Sequence, residues 1–245
     1  MVPSYLYKYR PVNCYLERLI VHDEIYFSRP SELNDPYDCN LFVSAVGSDA
    51  VRRKYLETNY PQLSQEQLRF ALEEAARPES IAANEADIEE FMKHTVERMG
   101  IFCTCARNDD LRMWTDYAAG HRGVCLQFKT LNGQLFGCDL TPIVYSPEHP
   151  AWTMFDECDE RWTRFTLATK SDAYANESEW RILYHTVGKQ QFPAEDLSGI
   201  IFGCRMEDRP KQQILEWISL RPMPLRIYEA RVRKGLFALE IVPAT

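Results

Sequence analysis

Residues 174–185, Tyr174-Ala-Asn-Glu-Ser-Glu-Trp-Arg-Ile-Leu-Tyr-His185, decide how the rest of the chain is read. From Glu177 the run alternates: Trp180, Ile182 and Tyr184 fall on one side, and Glu177, Glu179 and Arg181 on the other. Period-two alternation rich in aromatic and branched side chains predicts a half-buried β-strand. At ~3.3 Å per residue, alternate side chains stand ~6.6 Å apart along one face. Two carboxylates and a guanidinium then form a charged row beside an apolar core. Such a row is either a structural ion-pair ladder or a site.

Working outward, residues 199–203 (Gly-Ile-Ile-Phe-Gly) predict a short buried strand, and Glu207–Leu220 a helix with Pro210 in its first turn. Leu225–Val242, broken at Lys234-Gly235, reads as a β-hairpin. Upstream, Tyr5–Tyr9 is a strand ending at Arg10-Pro11, Asn13 caps a helix, and Ile25–Phe27 is a second strand. Ser28–Asp38 is a polar loop in which Asn34 and Asp35 can bond their own backbone. Pro36 keeps Asp35 out of the helical region. This loop is either a rigid turn or part of a site.

Residues 48–99 read as a helical insertion. Ser64 with Gln67 is a capping box. Asn84 is expected to cap a further helix bearing Ile88, Phe91, Met92, Thr95, Val96 and Met99, stopped by Gly100. His94 lies off that stripe and is expected in solvent. Ile101–Ala106 is a strand. Asp109 or Asp110 starts a helix with Met113, Trp114, Tyr117 and Ala118 on one face, for which core packing is the default. Val124–Phe128 and Pro142–Tyr145 read as strands, and residues 153–169 as helical. Strands and helices are segregated, which predicts a single α+β domain over 1–245. Its centre is a mixed or antiparallel sheet, with the helical insertion and C-terminal hairpin attached.

The net charge of −8 argues against a whole-molecule basic footprint for nucleic acid. No run approaches membrane-spanning length, and the first ten residues lack the apolar core of a signal peptide. The eight cysteines (14, 39, 103, 105, 125, 138, 158 and 204) form no C-x-x-C and no zinc spacing, so no metal site is expected of them. Scattered, reduced cysteines point to a cytoplasmic protein.

Three polar clusters compete. Lys8, Tyr9 and Arg10 with Cys103-Thr104-Cys105 and Glu177-x-Glu179 could handle a positively charged N-glycosidic bond. The cation would steady a diphosphate, the hydroxyl fix a ribose or amide, and the carboxylate face the developing oxocarbenium. Equally, these residues could neutralise one another or fill the core. Asp35, Asp38, Asp116, Glu177 and Glu179 could hold a divalent cation for a hydrolase or nuclease. That chemistry usually recruits a lysine, and Arg181 follows instead, which cannot transfer protons near neutral pH. Cys125 or Cys105 with His121 is the third cluster, and the apolar strand around Cys125 favours an inert thiol. There is no phosphate loop of G-x-G-x-x-G or Walker type.

The ordered series Tyr7-Lys-Tyr-Arg10, Leu33-Asn-Asp-Pro-Tyr-Asp38, Met113-Trp114 with Tyr117-Ala118, His121-x-Gly-x-Cys125, and Lys170 with Glu177-x-Glu-Trp-Arg181 resembles a bacterial and phage family known as domain of unknown function 2971. More distantly, the chain resembles ADP-ribosyltransferase-like folds, one branch of which carries an early-strand Arg, a Ser-Thr-Ser strand and a later Glu-x-Glu. That resemblance implies a split sheet and NAD as cofactor. Arg10, or alternatively Lys8, would lie on the phosphates, Thr104 beside the nicotinamide ribose, Glu179 as catalytic glutamate, and Glu177 orienting a macromolecular acceptor. Tyr9, Asn34, Asp35, Trp114, Tyr117, His121 and Arg181 would complete the cofactor site. Cysteines stand where that pattern has serines. A non-catalytic binding module, with the same polar residues as a buried scaffold, is the remaining reading.

Overall fold

The computed structural model describes residues 2–155 and 160–244. The first part contains β1 (Tyr5–Arg10), α1 (Cys14–His22), β2 (Glu24–Phe27) and β3 (Phe42–Ser44), followed by α2 (Asp49–Asn59), α3 (Gln65–Ala75) and α4 (Pro78–Val96). The middle runs through β4 (Gly100–Cys105), α5 (Leu111–Tyr117), β5 (Val124–Lys129), β6 (Gln134–Leu135), β7 (Cys138–Pro142), β8 (Val144–Ser146) and β9 (Ala151–Thr153). The last part has α6 (Glu160–Leu167), β10 (Thr169–Ser171), β11 (Glu179–Tyr184), β12 (Gly188–Gln191), β13 (Leu197–Phe202), α7 (Asp208–Ser219), β14 (Arg226–Val232) and β15 (Leu239–Pro243).

The fold is α+β. Nine strands form one mixed sheet in the order β15-β14-β13-β5-β1-β4-β11-β7-β6. Its pairs are antiparallel except β13 with β14. One face is covered by α1 and α7, whose Leu16, Leu19, Ile20, Ile214 and Trp217 join Leu6, Leu126, Phe102, Ile182 and Ile200 in the main core. On the other face α5 contributes Met113 and Trp114, and the following Ala118 joins them, in a core with Tyr9, Cys105, Cys125 and Ile201. A third cluster under α4 joins Met92 and Val96 to Ile101, Cys39 and Leu167. Burying each large apolar side chain contributes roughly 1.5–3 kcal/mol, which is why these stripes decide where the helices sit.

Several local predictions hold in detail. Asn13 Oδ1 accepts from the amides of Tyr15 and Leu16, Asp110 Oδ1 accepts from those of Arg112 and Met113, and Ser64 and Gln67 bond reciprocally. His94 is exposed beside Glu90. Others need correction. Asn84 is in the interior of α4, which begins six residues earlier because Pro78 occupies a first-turn position where a missing N–H costs nothing. Phe91 is exposed, and α4 ends at Val96 rather than at Gly100, which opens β4. Pro142–Tyr145 is not one strand: the Ile143 amide turns to the Glu179 carbonyl, so β7 ends and β8 begins with a new partner, β10. The helix expected over 153–169 covers only Glu160–Leu167, and residues 156–159, with Cys158, fall outside the described residues.

Candidate functional site

β11 starts two residues later than the alternation from Glu177 suggests. Asp172–Glu177 is a 3-10 turn, capped by the Ser171 side chain, and Ser178 takes a left-handed conformation (φ 46°) before β11 starts at Glu179. Glu177 therefore reaches the charged row from the turn rather than along the strand. The break leaves the Glu179 amide to donate to the Tyr145 hydroxyl at 2.8 Å.

The row itself is a buried network. Arg181 is fully enclosed, and its guanidinium grips Asp38 (Nη1–Oδ1 2.9 Å, Nη2–Oδ2 2.5 Å) and Glu179 (Nε–Oε1 2.7 Å, Nη2–Oε2 3.1 Å), with Nη1 also donating to the Leu167 carbonyl. Lys170 donates to Glu177 at 2.6 Å and to Glu179 at 3.3 Å, and lies 3.7 Å from Asp38. Tyr117 donates its hydroxyl proton to Glu177 at 2.7 Å and accepts from Asn34 Nδ2 at 2.9 Å. Burial alone would raise the Glu179 carboxyl, but Arg181 and Lys170 hold it down to about 2. Burial likewise opposes the charge of Lys170, yet Glu179 and Glu177 push its pKa above the usual lysine range. Three carboxylates and two cations leave one negative charge in excess, so nearby positive groups are electrostatically favoured.

Those groups are Lys8 and Arg10, which line a gap in the middle of the sheet. β1 and β4 are neighbours but pair only at Tyr7 with Cys105; beyond that point they diverge. Opposed residues of antiparallel strands share a face, so Tyr7, Cys105 and Glu179 are on one face, with Cys103 and Arg181. Lys8, Arg10 and Thr104 belong to the other. Lys8 lies along the gap: its ammonium is 4.7 Å from the centre of the Phe102 ring and donates to the Cys103 carbonyl. Burial, then repulsion from Arg10, lowers its pKa to about 8, although Cys103 and Glu179 oppose the shift. Burial also lowers that of Arg10. A cavity of about 230 Å³ runs through this gap, and its walls include Lys8, Arg10, Thr104, Glu177, Glu179 and Arg181.

The structure thus gathers much of the first cluster, with differences. Tyr9 lines the cavity, but its hydroxyl is committed to the Arg107 carbonyl. Asn34 and Tyr117 are at the wall, joined to Glu177 as described. Thr104 donates to the Trp180 carbonyl, so its hydroxyl serves the strand, and Cys103 and Cys105 share the face of the glutamates instead. Asp35 faces a separate cavity of about 450 Å³ against α4, where its carboxylate accepts from the Tyr37 amide. Trp114 is wholly buried, edge-on to Tyr9, with its indole N–H on the Asn108 carbonyl, so it is core rather than cofactor contact. His121 is away from the gap, in a third cavity with Cys204.

The carboxylate cluster expected for a metal is also redrawn. Asp116 is exposed on α5, and Asp35 is elsewhere. Arg181 fills the space between Asp38 and Glu179 that a cation would need, and among the described residues no group of three His, Cys, Asp or Glu could hold a metal. Of the suspected thiols, burial pushes Cys105 up to about 12 and Cys125 well above its ordinary range. Lys170 stands in the ordered family series with Glu177-x-Glu-Trp-Arg181 but has no role assigned from sequence; the structure puts it among Glu177, Glu179 and Asp38.

Residues 113–182 match the family model described as "Protein of unknown function (DUF2971)". The family likeness carried by the ordered motifs therefore stands over this stretch, which includes Tyr117, Lys170, Glu177, Glu179 and Arg181. No curated protein and no solved structure matches the chain. Among the described residues, no helix is long and apolar enough to cross a membrane.

Proposed function

We propose that the gap between β1 and β4 binds the anionic part of a nucleotide, with NAD as that nucleotide and Lys8 and Arg10 holding its phosphates. One observation carries the reading. The two cations wall a cavity, and among the described residues neither is hydrogen-bonded or ion-paired to a carboxylate, Glu179 acting on Lys8 only from a distance. Two like charges in a partly desolvated place repel until an anion arrives, and a diphosphate would supply charge-assisted bonds to both. NAD is preferred because Arg10, Thr104 and Glu177-x-Glu179 follow the ADP-ribosyltransferase-like order and wall the same cavity.

The cavity is smaller than the ~300–1,000 Å³ of sites that enclose drug-sized ligands. It suits one end of a dinucleotide, the rest lying outside the gap past Asn34. Glycosidic cleavage by Glu179 would require Arg181 to release a carboxylate oxygen, and breaking a buried pair costs roughly 3–5 kcal/mol. Binding is therefore the function the geometry supports best, with Asp38, Lys170, Glu177, Glu179 and Arg181 as the scaffold that shapes the cleft.

Titration calorimetry with NAD and with ADP-ribose tests this. Both should bind, and Lys8→Met and Arg10→Gln should each weaken binding about tenfold or more, a loss of ~1.4 kcal/mol. Absent binding, or equal affinity in wild type and both variants, would overturn the proposal. Release of nicotinamide by wild type but not by Glu179→Gln would extend it to catalysis.

A further inference from the structure

We propose a second site, independent of the nucleotide cleft, in which Cys204 is a reactive thiol served by His121 as its base and directed at small disulfides carrying an anionic group. The backbone assembles it. Gly203, just after β13, lies so close to the His121 carbonyl that any Cβ would collide with it, so only glycine lets the next residue, Cys204, come against the histidine. The loop makes the matching move: Ala119, Gly120 and His121 all have positive φ, the last at 69°. The Arg205 amide then donates to the His121 carbonyl at 3.0 Å and locks the two segments together.

The hydrogen bonds assign the tautomer. Thr115 Oγ1 donates its proton to the Leu111 carbonyl at 2.8 Å, so towards His121 Nε2, 3.3 Å away, it can only accept. Nε2 therefore carries the ring proton, and Nδ1, 3.7 Å from Cys204 Sγ, is left as the acceptor for the thiol proton. Burial and then the Arg205 charge lower the His121 pKa, which keeps the ring neutral and able to accept. Trp114 lies parallel to the imidazole, its ring centre 6.2 Å away. This is a nucleophile, a base within reach and a third group orienting the base.

The cavity beside the thiol, about 200 Å³, suggests what it takes. Leu111, Val232, Leu236 and Leu239 make it apolar, and Arg205 places one cation on its wall. Cys204 is partly exposed and within reach of a base, whereas Cys105 and Cys125 are buried among apolar side chains. In the reaction, His121 Nδ1 takes the Cys204 proton and the thiolate attacks one sulfur of the disulfide. A Cys204–sulfur bond forms, the original S–S bond breaks, and the leaving sulfur departs with the electron pair and receives the proton from His121.

The probe is dithiobis(nitrobenzoate), an aromatic disulfide with carboxylates, applied to the whole protein at neutral pH with peptide mapping to assign each site. Cys204 should react about tenfold or more faster than the exposed Cys14. His121→Asn, which tolerates positive φ, should slow Cys204 about tenfold or more while leaving Cys14 unchanged. Thr115→Val should also slow Cys204, and Thr115→Ser should restore it. Equal rates at Cys204 and Cys14 would overturn the proposal. So would an unchanged Cys204 rate in both His121→Asn and Thr115→Val.

Discussion

Asp38 and Arg181, 143 residues apart in sequence, are held by two parallel hydrogen bonds with both side chains almost wholly enclosed. This fork ties the Ser28–Asp38 loop to the centre of the sheet, and through Glu179 and Lys170 to the turn before β11. Desolvating these charges is costly, and the pairing offsets that cost only while every partner is present. Removing either member should therefore cost far more than a surface ion pair. Arg181→Met and Asp38→Asn are each expected to lower unfolding stability by about 3–5 kcal/mol, measured by urea denaturation, with the double variant losing less than the sum.

Acid sensitivity follows from Glu179. Its pKa in the folded protein, about 2, is below the unfolded value of 4.5. The stabilisation is therefore fully present above about pH 4.5 and lost as pH falls towards 2, on the order of 3 kcal/mol in all. Urea midpoints measured between pH 6 and 2.5 should fall more steeply in wild type than in Glu179→Gln.

Lys8 is shifted in the same direction, but here it is the charged form that burial penalises. A folded pKa of about 8 against 10.5 means that the unfolded chain binds the extra proton between those values, so stability rises with pH through that window. Lys8→Met should raise the melting temperature at pH 7, by the equivalent of ~1.4 kcal/mol or more, and abolish the alkaline rise. The same change should weaken nucleotide binding, a trade of stability against function that scanning calorimetry and titration would read together.

Tyr117 links the loop to the network from α5. Tyr117→Phe removes the 2.7 Å bond to Glu177 and leaves Asn34 without its acceptor. A loss of roughly 1–2 kcal/mol is expected, with the circular dichroism spectrum unchanged.

The capping residues show what could be read locally. Asn13, Ser64 with Gln67, and Asp110 act within three residues of themselves, so the chain announces them wherever it folds. Asn84 offered the same chemistry and was overruled, because Pro78 had already started α4. Glu179 and Arg181 were legible as a row because strand geometry sets their spacing. Glu177 is expected in the same row and does join it, but from the preceding turn, since the left-handed Ser178 breaks the period. Convergence of Asp38 and Lys170 on that row is tertiary. Sequence groups Asp38 with the glutamates only as a metal ligand and Lys170 only within the family series, because no local pattern announces an ion-pair network. Cys204 and His121 could not be matched for the same reason, their contact depending on two backbone segments meeting at Gly203.

The lone Tyr7–Cys105 pairing gives the sheet two more rims, set deep within it rather than at its ends. Unpaired rims invite foreign strands to dock and aggregate, and folded proteins blunt them with charge. Lys8, with its ammonium on the carbonyl that a visiting strand would otherwise take, and Arg10 beside it blunt those inner rims against a polypeptide.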